Sequence, residues 1–508
     1  MVEPPEFNLP NPAAVAESIK KWTATQPRLA ALSAGVPIVA ALTRWALELL
    51  RAKQVADAIP VLRAALTLAP DDPSLWANYG IALHQGGSLG EAAACLEHSV
   101  GLSRLQPNTW LMLGIVRKKL DDLPAAQAAY LVALQQEPNS SVAWQLLGVL
   151  KEEQKDFAGA VECLEACIKV GVANPAVFAN LGKLNHQLGR LLESCQSYNQ
   201  AAALDAANSH YRQMARKTTF LQESLNTDSI DVAISNYRNS FATGETCSEK
   251  DLMELLRSSF STLSGFGHLD AAIRVGNKQK ELWPSSPSLT YLLSAAAGDQ
   301  SIDRSPPEYV VEYFDSFAEG FDAQLVDVLG YDVPQKLCLA VRQFIAPEGL
   351  RQTLDAGCGT GLCGPPLRPI SRTLTGVDLS PKMLEQAARK RVYDALACEE
   401  LTVFLRRSAD QFDLIVAADL TIYFGELASL FEAVATALKP VGLFAFSSES
   451  WAGAGYRLLP SGRFAHAPDY VRLLARVQFT EIFHAETTIR LEATRRLPGN
   501  LFIFRRLG

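Results

Sequence analysis

The chain has 508 residues, 48% of them hydrophobic, a net charge of -7 and a pI near 5.7. That length exceeds one hydrophobic core, and the acidic balance gives no footprint for general DNA or RNA binding. The nine cysteines, an odd number without a Cys-x-x-Cys pair, read as reduced packing residues.

At the N-terminus, MVEPPEFNLPNP holds two acids and no base, the wrong chemistry for a secretory signal. The longest apolar run, Ala30 to Leu42, contains Pro37 and is too short for a bilayer. The expectation is a cytoplasmic protein without membrane contact, whose residues 1–38 form an N-terminal extension or helical cap.

An internal period follows. Trp76, Trp110, Trp144 and Phe178 recur every 34 residues, and so do Gly80, Gly114, Gly148 and Gly182. The small residues Ala92, Ala126, Ala160 and Ser194 keep the same step, as do the bulky Leu96, Tyr130, Leu164 and Tyr198. A fifth unit fits upstream, with Leu42, Ala46, Ala58, Leu62, Ala65 and Pro70. This pattern resembles the tetratricopeptide repeat, a helix-turn-helix unit that buries its apolar faces by stacking. Residues 39–207 therefore read as five repeats, with the tryptophans in the core. The exposed positions of each first helix, His84, Lys118, Glu152 and His186, mix signs and name no peptide, so they read as solvated helix face. The resemblance implies a protein or peptide partner for such a groove.

From 208 to 300 the pattern decays into degenerate helical units, one of them around Leu256 to Pro284. Thr243 to Lys250 reads as a loop, and 301–306, within AGDQSIDRSPP, as the interdomain linker. Residues 307–508 then change to short apolar runs alternating with helical stretches, the signature of an α/β domain with a mainly parallel sheet. Strands are expected at Thr353 to Asp355, Leu374 to Asp378, Phe412 to Ala418, Gly442 to Ser447 and Leu501 to Phe504.

The chemistry clusters at the C-terminal ends of these strands, where open α/β sheets bind ligands. The first runs into Asp355-Ala356-Gly357-Cys358-Gly359-Thr360-Gly361, and the second ends at Asp378. Glycines let the backbone turn sharply against a ligand, while an acid at the next strand tip can accept from two ribose hydroxyls. A dinucleotide fingerprint would read G-x-G-x-x-G, whereas here it is G-x-G-x-G, which makes a nicotinamide dehydrogenase the weaker reading. Cys358 and Cys363 have no histidine nearby and no second ligand pair, so no metal is expected.

These motifs resemble class I methyltransferases with a Rossmann-like fold, specifically those fused to tetratricopeptide repeats and related to the ubiquinone-biosynthesis and trans-aconitate enzymes. Tyr309 to Asp322 resembles the family's helical lid, and Gly455 to Val471 its substrate-side segment. The resemblance implies S-adenosylmethionine as cofactor. Asp355, Ala356, Gly357, Cys358, Gly359, Thr360 and Gly361 would hold its methionine end, and Asp378 its ribose. Leu379 and Met383 would flank the adenine, and Glu400 stands where an aspartate usually meets the adenine amino group. Pro365 and Pro366 fit the first turn of a helix. Asp419 reads equally as a cofactor-site acid or a helix N-cap.

Methyl transfer from a sulfonium needs a base only where the acceptor must lose a proton. Tyr423 and His466 are the weak candidates, each read first as a positioning or structural residue. Ala417-Ala418-Asp419-Leu420 replaces the Asn-Pro-Pro-Tyr run of adenine and glutamine amino methylation, and no Pro-Cys pair is present for attack on a pyrimidine. That leaves an oxygen, carbon or other nitrogen acceptor on a small molecule or a protein. The rival expectation is a scaffold whose second domain senses the cofactor without catalysis.

Overall fold

A computed structural model describes residues 9–171, 174–241, 246–284, 286–328, 330–345, 351–492 and 495–508. The chain divides into two compact units, residues 1–212 and 213–508.

In the first unit, paired antiparallel helices follow the 34-residue period, from Ile38–Arg51 and Val55–Leu68 to Pro175–Gln187 and Leu191–Leu204. Proline opens the first helix of several units, at Pro73, Pro107 and Pro175, where a missing N–H costs nothing. The glycine column explains the bulky one. A Cβ on Gly80 would lie 2.8 Å from Leu96 Cγ, and one on Gly182 2.7 Å from Tyr198 Cδ2. Glycine thus lets the second helix press its large side chain onto the first. The small column, Ala92, Ala126, Ala160 and Ser194, is fully buried.

Trp76 is buried as expected, whereas Trp110, Trp144 and Phe178 are only half-buried. Each indole N–H donates to the carbonyl six residues earlier: Trp76 to Pro70 (2.6 Å), Trp110 to Arg104 (3.1 Å) and Trp144 to Pro138 (2.9 Å). The column therefore fastens each first helix to the loop before it. Ion pairs link successive first helices, Lys118 to Glu153 (2.6 Å) and Lys183 to Glu152 (2.5 Å). The four expected groove positions, His84, Lys118, Glu152 and His186, are half-buried rather than freely solvated, Lys118 and Glu152 through these pairs. At the N-terminus, helices Pro12–Thr25 and Pro27–Ser33 cap the array through an edge contact of Trp22 with Trp45 and a fork from Arg28 to Glu48.

The second unit begins with more helices. Residues 243–245 of the expected loop lie outside the described residues. Ser248 then opens helix Glu249–Gly265 with a reciprocal capping box to Asp251, so the helix starts inside the expected loop. Helices Leu269–Leu282 and Pro287–Ala296 follow.

Among the described residues nine strands come next: β1 Arg351–Ala356, β2 Ser371–Asp378, β3 Ala395–Cys398, β4 Phe412–Ala417, β5 Leu438–Ser450, β6 Tyr456–Leu458, β7 Phe464–His466, β8 Phe479–Glu492 and β9 Arg495–Arg506. β3-β2-β1-β4-β5 are parallel neighbours in that order, and β9 runs antiparallel between β5 and β8. Alternation fills both faces. Ile415, Phe444 and Phe446 belong to one core and Leu414, Val416 and Ala445 to the other. The five expected strands exist, several of them longer, and β3, the β6–β7 hairpin and β8 are additional.

The expected linker at 301–306 is not a free hinge. The Asp303 carbonyl accepts from Gly425 (2.7 Å) and Glu426 (3.0 Å), and Ser305 N–H donates to Tyr423 O (3.0 Å). The Tyr291 hydroxyl donates to Gly462 O (2.8 Å) and pairs with the Ser305 hydroxyl (2.7 Å). Residues 213–306 and the sheet thus belong to one body, because the segment's backbone groups find partners in the sheet's own loops.

Candidate functional site

After β1 the chain turns at three glycines whose φ values are positive: Gly357 (68°), Gly359 (53°) and Gly361 (85°). That conformation strains any residue with a Cβ. Gly357 and Cys358 donate their N–H groups to Val377 O at 2.8 and 3.0 Å, clamping the bend to β2. Gly359 N–H and Ser380 N–H then donate to opposite oxygens of Asp378, at 2.8 and 2.9 Å. Burial raises the Asp378 pKa and these backbone bonds oppose the rise. Leu379 N–H adds to these bonds, and the remaining acceptor capacity of the carboxylate is left for a ligand.

The three glycines serve different purposes. A Cβ on Gly357 would meet Leu420 Cδ1 at 2.7 Å, and one on Gly361 would meet Tyr393 Cε2 at 2.9 Å. Gly359 alone faces open space, with nothing within 4 Å. It forms the cradle that a side chain would fill.

Asp355 is 1% exposed. Burial pushes its carboxyl up to about 7, against a 2.6 Å hydrogen bond from the Tyr393 hydroxyl, while Asp378 raises it and Lys390 lowers it. Ala356, Cys358, Thr360 and Gly361 are buried. The Thr360 hydroxyl donates to Asp322, and Lys390 bridges Asp322 (2.7 Å) and Thr360 O (2.8 Å). A second tie joins Ser380 to Asp315 (2.5 Å) on helix Pro307–Phe317, within the stretch expected as a lid.

Leu379 is half-buried beside Tyr309, Phe314 and Tyr423. Met383 departs from expectation. It is fully buried, its N–H bonded to Ser380 Oγ (3.1 Å) at the start of helix Pro381–Arg389, so its side chain has no surface to offer an adenine. The interior face of that amphipathic helix claims it. Glu400 N-caps helix Leu401–Arg406 by accepting from Thr402 and Val403, and it pairs with Arg304. Burial pushes its pKa up, yet the Thr402, Arg304 and Val403 bonds outweigh that and leave it low.

Asp419 is not a helix cap, since Leu420 precedes the short turn Thr421–Tyr423. Its φ is 52°, a strained value for a residue with a side chain. The carboxylate accepts from Ser447 (3.0 Å) and pairs with Arg490 (3.0 Å). Arg490 also reaches Glu449, which Arg463 meets at 2.9 Å, making a chain of two acids and two arginines that is buried at Arg490 and Glu449 and half-buried at its ends. Burial raises the Asp419 pKa and Arg490 opposes it.

Tyr423 sits edge-on to Phe314 of helix Pro307–Phe317 at 5.6 Å, and burial holds its hydroxyl far above the usual range. His466 is fully buried. Its Nε2 bonds Phe424 O (2.8 Å), its ring stacks on Tyr470, and burial lowers its pKa to about 4. Sequence reasoning missed Tyr393, Asp322, Lys390, Glu449 and Arg490, whose partners are distant in sequence and carry no local motif. Among the described residues no group of three or more metal-ligating side chains gathers, and no helix is long and apolar enough to cross a membrane.

Comparison with known proteins adds two families. Residues 354–444 match a methyltransferase domain, and 43–103, 141–170 and 175–208 match tetratricopeptide repeats. A ubiquinone biosynthesis O-methyltransferase of Bartonella bacilliformis is 28% identical over 147 residues, covering 26% of this chain and 59% of that protein. An uncharacterized methyltransferase of Bacillus subtilis is 32% identical over 107 residues, covering 20% and 46%. The chain thus spans about half the length of these two relatives. Among solved structures, the N-methyltransferase NodS of Bradyrhizobium japonicum is 20% identical with a TM-score of 0.32, over 39% of this chain and 98% of that one. The MamA protein is 17% identical with a TM-score of 0.32, over 34% and 94%. Residues 43–103, 141–170 and 175–208 thus carry tetratricopeptide repeats, and residues 354–444 carry a methyltransferase domain built on the parallel strands β1 to β5.

Proposed function

We propose that the chain is an S-adenosylmethionine-dependent methyltransferase whose repeats engage a protein or peptide partner. The observation that carries this reading is the open face of Gly359 between two acids at adjacent strand ends, the buried Asp355 and the half-buried Asp378. A small, sharply bent backbone flanked by acceptors fits a ligand with an ammonium, a ribose and a flat base. The Asp378 lone pairs would take ribose hydroxyls, Asp355 the ammonium, and Leu379 one side of the base. When bound, the group supplies a methyl on a sulfonium with a neutral thioether as leaving group.

The chain's own contribution is placement and dryness. Phe314, Tyr309 and Tyr423 close the acceptor side with apolar surface, which favours a fixed approach over solvent exposure. A tyrosine far above its usual pKa and a histidine bonded to a backbone carbonyl support positioning roles for Tyr423 and His466. The O-methyltransferase relatives make an oxygen acceptor the first to test, on a small molecule or on a protein delivered by the repeats.

Calorimetry with S-adenosylmethionine and S-adenosylhomocysteine tests the reading. Wild type should bind both, and Gly359→Val or Asp378→Asn should lose binding while keeping the helical signal. Wild type that binds neither ends the proposal. Binding without tritiated methyl transfer into any extract fraction would leave a sensor instead.

A further inference from the structure

Tyr393 lies between helix Pro381–Arg389 and β3, far from any motif. Its ring occupies a slot cleared by three glycines. A Cβ on Gly361 would come 2.9 Å from Tyr393 Cε2, on Gly364 2.9 Å from its hydroxyl, and on Gly376 3.1 Å from Cε1. The next residue anchors the segment, since Asp394 accepts from Leu374 N–H (2.7 Å) and Arg368 (2.6 Å). The ring is thereby aimed at β1, and its hydroxyl donates to Asp355 Oδ2 at 2.6 Å. Oδ1 is the oxygen left for a ligand.

We propose that Tyr393 is a positioning residue for ligand capture, holding the Asp355 carboxylate oriented and ionised to receive the ammonium of the ligand's amino-acid end. This rests on the methyltransferase reading above. A buried carboxylate without a donor prefers to be neutral, and a neutral acid attracts an ammonium poorly. The groups facing Asp355 are Tyr393, Asp378, Lys390, Cys358, Cys363 and Tyr331. Lys390 is already engaged by Asp322 and Thr360, and Asp378 repels a second charge. The Tyr393 hydroxyl is therefore the donor that stabilises the anion directly.

The test is calorimetry of the full chain with S-adenosylhomocysteine across pH 6 to 9, with methylthioadenosine, which has no ammonium, as the second probe. Wild-type affinity for S-adenosylhomocysteine should rise as pH passes about 7, where Asp355 ionises. Tyr393→Phe should move that rise about one unit to alkaline pH, weakening binding about fivefold near pH 7 and about tenfold near pH 6, with recovery at higher pH. Methylthioadenosine binding should be unchanged, and Asp355→Asn should flatten the S-adenosylhomocysteine profile at low affinity. An unshifted Tyr393→Phe profile, or an equal loss for both probes at every pH, overturns the role of Tyr393. Failure of wild type to bind either probe would instead bring down the underlying reading.

Discussion

His466 gives the most quantitative forecast. Its imidazole is fully buried, bonded at Nε2 to Phe424 O, and burial lowers its pKa from 6.5 to about 4. The folded state thus keeps the ring neutral where the unfolded chain would protonate it. The associated stability is complete above about pH 6.5 and is lost as pH falls from there toward 4. With these two values, going from about pH 7.5 to about pH 4.5 removes about 2.5 kcal/mol. His466→Gln retains an amide donor for Phe424 but no titration. We expect the acid-induced loss to shrink by about that amount in the variant. Urea titrations at both pH values, read by hydrogen exchange of the 456–470 peptide, report on this unit directly. Identical losses in wild type and variant would refute the linkage to His466.

Two further substitutions probe packing and buried charge. Gly182→Ala places a Cβ 2.7 Å from the Tyr198 ring. Overpacking of about 1–3 kcal/mol should exceed the roughly 1 kcal/mol helix gain and lower the repeat array's melting point. Gly101→Ala, in helix Leu89–Leu102 with nothing within 4 Å, should instead raise it. Arg490→Met removes the arginine that joins Asp419 to Glu449, leaving Glu449 with Arg463 and Asp419 with Ser447, and should cost about 3–5 kcal/mol in urea unfolding, more than the loss of an exposed arginine would.

The repeats were legible because their constraint is local and periodic: a glycine in one helix faces a bulky residue at a constant spacing in the next, so the columns align by eye. The glycine bend and the two acids were legible for a similar reason, since a turn and a strand tip are specified within a few residues. Met383 misled because its place near the bend in sequence does not reveal which helix face it occupies. The cap alternative for Asp419 failed because its partners, Ser447 and Arg490, come from strands well removed along the chain. Tyr393 was invisible for the same cause, although Gly361, Gly364 and Gly376 jointly make room for its ring.

The stretch around 301–306 sets where the polypeptide can be cut. A fragment beginning at 307 would discard Tyr291, Gln300, Asp303 and Ser305, leaving Gly462 O, Leu458, Gly425 and Tyr423 O to seek water. It would also strip the cover from Tyr309, Leu458 and Phe464, an apolar surface inviting self-association. An expression boundary before helix Ser209–Asn226 keeps these groups matched, and shorter fragments should precipitate through that bared surface.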